Sequence, residues 1–357
     1  MTGSTGATAP ETTQPATRSI RTGTGWVRQP PRPALAVVGV AVLVVVVALY
    51  PLVITNPTAT TFGVITLVFV AVTSAWNLFS GYSGYLSLGH AVFYGTGAYF
   101  LCVAAKDWNI SGSAVFWLVP LGGLAAVVIA VPLGLVALRV RRHTFVVITI
   151  AFFFIAQLSA SNLGVTGGSS GILVPVPGNW DPATYNNPFY YLALVIAAAT
   201  VALSWQVRRS RFGLQLRAIR DDEDRAEGLG VRTMPVKLTA LVVSAFITGM
   251  AGALWVFFIG EAFPQFVFDP LFDLAVVLMA FLGGLGTVAG PVLGALILEP
   301  TQLWLGLQQS NSYEFEIVFG VLFLVVILFL PRGALPTGSE YVTKWRARWR
   351  QAHGDTP

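Results

Sequence analysis

From Leu238 to Ile259 the chain carries no charged side chain, and apolar runs of this kind recur along most of its length. Nothing constrains the fold more. A stretch of about 20 such residues is long enough to cross the hydrocarbon core of a bilayer. Inside that core each backbone N–H and C=O must find a partner in the chain itself, which selects helices or closed barrels. Continuous apolar runs, without the period-two alternation of barrel strands, select the helix. Only 10% of the 357 residues are charged and 55% are hydrophobic, whereas soluble domains average about 25% charged. The fold class expected is an all-α, polytopic integral membrane protein.

Ten spans fit the hydropathy: about Ala34–Ile54, Thr61–Phe79, Tyr85–Ala105, Ala114–Leu138, Thr144–Asn162, Pro188–Val207, Leu238–Ile259, Pro270–Leu282, Pro291–Leu307 and Phe315–Leu330. The eighth is too short to cross untilted. A broken or partly re-entrant helix fits there, and eight or nine true crossings stay open. Ten crossings with the N-terminus inside place 20 of the 21 basic residues on the cytoplasmic side and leave only Lys106 outside. Lys and Arg are retained on the cytoplasmic side during insertion, so both termini are expected there, in a multi-pass protein of the plasma membrane. Residues 1–33, rich in Thr, Gly, Ala and Pro, read as a disordered cytoplasmic tail rather than a signal peptide. Residues 34–331 form the membrane domain and 332–357 a basic cytoplasmic tail. Trp345 and Trp349, set among Lys344, Arg346, Arg348 and Arg350, suit a segment lying on lipid headgroups, and equally a solvated tail.

The chain has no Gly-Lys dipeptide and so no phosphate-cradling P-loop. His90, His143 and His353 are far apart, no His-Glu-x-x-His spacing occurs, and Cys102 is the only cysteine. No metal, cofactor or catalytic site is expected. The net charge of +5 reads as topology rather than nucleic-acid binding, because the basic residues are confined to a few loops.

Three segments carry information. Asn77–Phe100 (NLFSGYSGYLSLGHAVFYGTGAYF) holds Gly81, Gly84, Gly89, Gly95 and Gly97 beside Asn77, Ser87 and His90. Such glycine density permits an interrupted helix or close helix approach. Phe281–Ala295 (FLGGLGTVAGPVLGA) holds Gly283, Gly284, Gly286 and Gly290 before Pro291, a break followed by a new helix. The third segment is a charged island, residues 208–237, with eight basic and five acidic side chains. Its apolar Leu216, Ile219, Ala226 and Leu229 form a partial helical stripe, and Gly228 and Gly230 offer a stop. Small-residue packing, a tight turn and a solvated linker account for the three segments as well as function does.

Read together, these motifs resemble the permease subunits of branched-chain amino acid ABC importers, specifically the M-type of the two paired permeases. The resemblance covers about residues 60–335. It rests on GYSGYLSLGHAVFYGTGAY (Gly81–Tyr99), NLGVTGGSSGI (Asn162–Ile172), Gly213–Ser244 with KLTALVVSAF at Lys237–Phe246, GGLGTVAGPVLGA and the closing LPRG (Leu330–Gly333). Two places depart from the family pattern. The turn after the fourth span reads RVRRHTF, and Tyr85 stands where Gln or a small polar residue is common.

The resemblance implies a transporter rather than an enzyme. Its partners would be a second permease subunit, two cytoplasmic ABC ATPases and an extracytoplasmic solute-binding protein. The island would be the coupling helix that docks on an ATPase, through Arg217, Arg220, Asp221, Asp222, Glu223, Asp224, Arg225, Glu227 and Gly230. The glycine-rich segments would border the translocation path, with Asn77, Gly81, Gly84, Ser87, Gly89, His90, Gly283, Gly284 and Gly286 as candidates. Glu299, before Pro300, joins them as a carboxylate in the middle of an expected span. Branched-chain or other hydrophobic amino acids are the first substrates implied, and urea, short amides or another small solute the second. A stand-alone channel or secondary transporter is the rival class. It would normally place more ionisable groups in the membrane and has no need of the island.

Overall fold

A computed structural model describes residues 47–53, 56–174, 180, 184–308 and 320–321. Both tails, the closing Leu330–Gly333 motif, all of the first expected span but 47–53 and all of the tenth but 320–321 lie outside the described residues.

Helix α1 (Pro57–Trp76) continues into a π-helical turn, Asn77–Gly81. It starts where Asn56 accepts the Thr58 amide at 3.0 Å and Pro57 supplies a preset φ. The chain then runs without regular structure to α2 (His90–Asp107), a later helix start than the expected Tyr85. Next come a 3-10 turn (Gly112–Trp117) with α3 (Leu118–Ala137), and α4 (Arg142–Asn162). Helix α5 (Asn186–Arg209) leads into the island helices α6 (Arg211–Asp221) and α7 (Glu223–Gly228). They are followed by α8 (Thr233–Ile259), α9 (Pro264–Val267), α10 (Pro270–Gly283) and α11 (Ala289–Gln308). Each expected span that falls on described residues coincides with a helix. Six helical segments are long and apolar enough to cross a membrane: Pro57–Gly81, Gly112–Ala137, Arg142–Asn162, Asn186–Arg209, Thr233–Ile259 and Pro264–Gly283. The short eighth span, expected to be broken or partly re-entrant, is one unbroken helix over Pro270–Leu282. The Asp269 side chain accepts the Leu271 amide at 2.9 Å and Pro270 opens it, and only the four-residue α9 precedes it across Phe268–Asp269.

Helix α8 is the axis of the bundle and packs on α2 and α3. Small residues set these crossings. A Cβ on Gly97 would overlap the Gly249 carbonyl, and one on Gly252 the Tyr94 carbonyl. Without a hydrophobic drive between helices in lipid, close backbone approach supplies the dispersion contacts that hold them together. Helix α4 is mostly exposed, with Val147, Ile155 and Leu158 at 65%, 58% and 63%. In hydrocarbon such a face carries no solvation cost.

The bundle has two unlike ends. One gathers the island, Gly81–Tyr85, Arg139–His143 and Gly284–Thr287. At the other, a two-residue antiparallel pairing (Ile172↔Ala262, Leu173↔Glu261) joins the chain after α4 to the end of α8. Phe116, Trp180, Tyr185, Phe189 and Phe257 form an aromatic cluster linked to that same end of α8.

Candidate functional site

The two glycine-rich segments, far apart in sequence, meet at the island end. The π-helical turn carries Asn77 to a position where its amide Nδ2 donates to the Thr287 carbonyl at 2.8 Å. Its Oδ1 accepts from the Gly286 amide at 2.7 Å. One side chain thereby satisfies a donor and an acceptor of the turn between α10 and α11. That turn needs Gly286, which has φ +77°. Single π turns inside helices recur at functional sites because they re-aim a side chain in this way.

Between Gly84 and α2 the backbone is held by serines. Ser83 Oγ donates to the Phe79 carbonyl at 2.7 Å, and Trp76 Nε1 to the Ser87 carbonyl at 2.8 Å. His90 opens α2, fully buried between Ser87 Oγ at 3.0 Å and Ser244 Oγ at 2.8 Å. Ser244 spends its own proton on the Ala75 carbonyl at 2.7 Å. The His90 tautomer follows: Nε2–H donates to Ser244, and Nδ1 accepts from Ser87. Asp273, from α10, accepts the Ala91 amide at 3.1 Å and so caps α2 from a neighbouring helix.

The island is two helices, not one stripe. Ser210 caps α6 by accepting the Gly213 amide at 3.1 Å. At Asp222 the backbone turns extended (φ −157°, ψ 110°), and its carboxylate accepts the Arg225 amide at 3.0 Å to start α7. The break shifts the phase of the apolar positions. Leu216, Ile219 and Ala226 are buried, but Leu229, expected in the same stripe, is 85% exposed. Leu214 also faces out.

Two charged side chains of α6 and α7 turn inward. Arg220 Nη1 donates to the Gly81 carbonyl at 2.6 Å, its stem lies over Gly84 (φ +76°), and its guanidinium meets Gly286. A side chain on either glycine would collide with it. Arg220 therefore joins the island to both glycine-rich segments at once. Arg142 clasps the same helix from the other side, donating to the Ile219 carbonyl and, at 2.8 Å, to that of Arg220. These are last-turn carbonyls that lack helical donors, and a cation suits the helix C-terminus.

Glu223 is the second inward group. Its carboxylate pairs with Lys237 of α8 and accepts from the Tyr85 hydroxyl, while Lys237 Nζ lies 3.1 Å from that hydroxyl and 4.4 Å from the ring centroid. Burial alone would raise the Glu223 carboxyl. The hydrogen bonds from Lys237 and Tyr85, with the charges of Lys237 and Arg142, outweigh it and hold the group below its ordinary value. Burial and the bond to Glu223 push the Tyr85 phenol up. Both departures from the family pattern, Tyr85 and the Arg139–Phe145 turn, thus lie against the island.

Most of the other residues expected to dock face out. Asp221, Asp224, Arg225, Glu227 and Gly230 are exposed, and Asp222 is half-buried as a cap. Arg217 folds back on the Gly213 and Arg208 carbonyls at 3.3 and 3.2 Å. With Arg139–His143 the acidic side chains border a cleft of about 620 Å³. Gly89 packs on the Thr149 backbone and Gly283 on the Gly290 carbonyl. Glu299 is buried but far from this assembly along α11, beside Tyr94. Arg142, Lys237, Ser244 and Asp273 escaped sequence reasoning. A charged residue at the edge of an expected span was the available signal for Lys237 and Asp273. Among the described residues no three His, Cys, Asp or Glu side chains are grouped to hold a metal.

A family profile described as "Branched-chain amino acid transport system / permease component" matches residues 57–327. The chain is 29% identical over 328 residues to the high-affinity branched-chain amino acid transport system permease protein LivM of Escherichia coli (strain K12), covering 83% of this chain and 74% of that protein. It is 27% identical over 277 residues to the corresponding permease protein LivH of Salmonella typhimurium, covering 73% and 88%. A third relative is the autoinducer 2 import system permease protein LsrC of Photorhabdus luminescens, 27% identical over 148 residues, covering 40% and 44%. No solved structure matches the chain. The chain belongs to the branched-chain amino acid transport system permease family, as a LivM-like permease subunit of an ABC importer and not an enzyme.

Proposed function

We propose that this subunit forms, with a second permease, the translocation path for branched-chain or other hydrophobic amino acids. Two cytoplasmic ATPases drive it and an extracytoplasmic binding protein supplies it. In this reading the chain crosses the plasma membrane ten times with both termini in the cytoplasm, an arrangement that puts 20 of 21 basic residues on the side where Lys and Arg are retained. The outward face of the island docks on an ATPase, and the inward face passes the movement on. Arg220 carries the reading. It sits on a short, doubly clasped helix and touches both glycine-rich segments, so a displacement of α6 acts on α1 and on the α10–α11 turn together.

The test is uptake of radiolabelled leucine by proteoliposomes containing the assembled transporter and its binding protein. Uptake is expected only with ATP inside and binding protein outside. Uptake by this chain alone, or uptake indifferent to ATP, would return the protein to the channel or secondary-transporter class.

A further inference from the structure

At the end of the bundle opposite the island, a cavity of about 500 Å³ opens between the start of α1 and the last turns of α11. Its size falls within the roughly 300–1,000 Å³ of small-molecule sites. Phe62, Ile65, Leu303 and Leu307 give it apolar walls, and Glu299 and Gln302 are its principal polar groups. Positions 299, 302, 303, 306 and 307 recur at helical spacing, so one face of α11 lines it. Glu299 is only 4% exposed, and among the described residues its Oε2 has no hydrogen-bond partner. A buried carboxylate oxygen left unpaired is costly. Pro300 follows, and because it has no amide N–H it removes the donor that the Leu296 carbonyl would otherwise meet in the helix. The Glu299 carboxylate therefore stands unpaired among the described residues beside an apolar chamber, with Gln302 on the same helix face.

We infer that this cavity is a binding subsite for a primary ammonium carrying a branched aliphatic chain, with Glu299 as the residue that receives the ammonium. The inference rests on the hydrophobic amino acid reading above and deepens it. The ammonium meets the Glu299 carboxylate, the aliphatic chain lies on Phe62, Ile65, Leu303 and Leu307, and the Gln302 N–H faces a carboxylate. A neutral solute such as a short amide can donate an N–H to Glu299 but leaves its charge unbalanced. The cavity runs from Glu299, midway along α11, toward the end away from the island, the side from which a solute would arrive in the proposed topology.

The test uses the full chain in nanodiscs of uncharged phosphatidylcholine, titrated calorimetrically with 3-methylbutylamine and with 3-methylbutan-1-ol, its neutral analogue. Wild type should bind the amine in preference to the alcohol, and Glu299→Gln should weaken the amine about tenfold or more while leaving the alcohol unchanged. Equal amine binding by Glu299→Gln, or none by wild type, would overturn the site. If Glu299→Gln does not fold, Gly306→Leu decides. A Cβ there meets nothing within 4 Å, so the side chain fills the cavity without disturbing packing. Retained amine binding in that variant overturns the inference, and loss supports it. Leucine uptake by the assembled transporter separates the two readings. Glu299-dependent amine binding without leucine uptake sinks the substrate and leaves the site. Leucine uptake with Glu299-independent amine binding does the reverse.

Discussion

Arg220 and Glu223 point into the bundle, and Asp221, Asp224 and Glu227, interleaved with them, point out. In sequence the five are one polar run. In the structure they divide between two jobs, because an 11-residue helix and a 6-residue helix, offset at Asp222, each present one face to the membrane domain. The inward pair is partly desolvated, multiply hydrogen-bonded and tied to three other parts of the chain. The outward group has water on most sides, and its ion pair Arg141–Asp224, at 3.5 Å, has side chains 87% and 73% exposed. Charge of the first kind fixes the position of the island. Charge of the second kind is free to meet a partner.

The sharpest way to break this division is Glu223→Gln. It leaves Lys237, with a side chain 4% exposed, without its counter-charge. Removing one member of a buried pair costs about 3 kcal/mol, and the part-exposed Glu223 side places this case at the lower end. A clear fall in the thermal midpoint in detergent is expected, with much of it recovered by adding Lys237→Met, since the pair then disappears together. If Glu223→Gln is as stable as wild type, the inward class does not exist. The same pair predicts a pH dependence. A carboxyl held below its ordinary value of 4.5 contributes stability that is complete above that pH and is lost as pH falls through the lowered value. The stability gap between wild type and Glu223→Gln should therefore be constant near neutrality and close in acid.

Next in size is Arg220→Ala, which removes a charge-assisted hydrogen bond to Gly81, worth about 1.5–3 kcal/mol. Here stability and function should part. The ATPase should still co-purify, because the docking face is intact, while leucine uptake per ATP hydrolysed falls steeply. Loss of co-purification instead would place Arg220 with the docking residues.

How far the sequence reveals this arrangement depends on the force involved. Helix positions were legible because lipid leaves the backbone one solution, and the runs from Thr144 and Leu238 became α4 and α8 within a few residues. The break expected in the short eighth span is not there, because Asp269 and Pro270 start an unbroken helix that runs through it. The facing of the island was not. A stripe through Leu216, Ile219, Ala226 and Leu229 assumes one continuous helix, and Asp222 ends it by taking up the Arg225 amide. An Asp followed by Glu223 and Asp224 is an N-cap with an acidic first turn, so the signal was present but read as charge rather than as capping. The meeting of Asn77 with Gly286 and Thr287 had no local signal, because it spans some 210 residues. The same holds for Asp273 at the Ala91 amide.

A smaller effect tests the break itself. Asp222→Ala removes the α7 cap and its pair with Arg225 at 2.9 Å, and caps of this type are worth about 1 kcal/mol. The loss should appear as faster amide exchange across residues 223–228, with exchange in α8 unaltered. Unchanged exchange would mean that α7 is held by Ala226 packing and the Glu223 contacts with Lys237 and Tyr85.

The least effect on stability belongs to the outward face, and there the comparison is decided. Asp221→Arg, Asp224→Arg and Glu227→Arg together remove one long, exposed ion pair, and surface substitutions of this kind stay within about 0.5 kcal/mol each. The triple variant should insert, fold and melt close to wild type. Its contact with an ATPase is another matter, because like charges brought together across an interface cost several kcal/mol, well beyond what a modest docking contact survives. Co-purification with the ATPase and leucine uptake should both be lost, and more so at low salt, where screening is weakest. Reversing only Glu340, in the C-terminal tail, should change neither. A triple variant that keeps its ATPase and its transport would make the outward charges a solvated surface, and would leave Leu214 and Leu229, the exposed apolar residues beside them, as the contacts to examine.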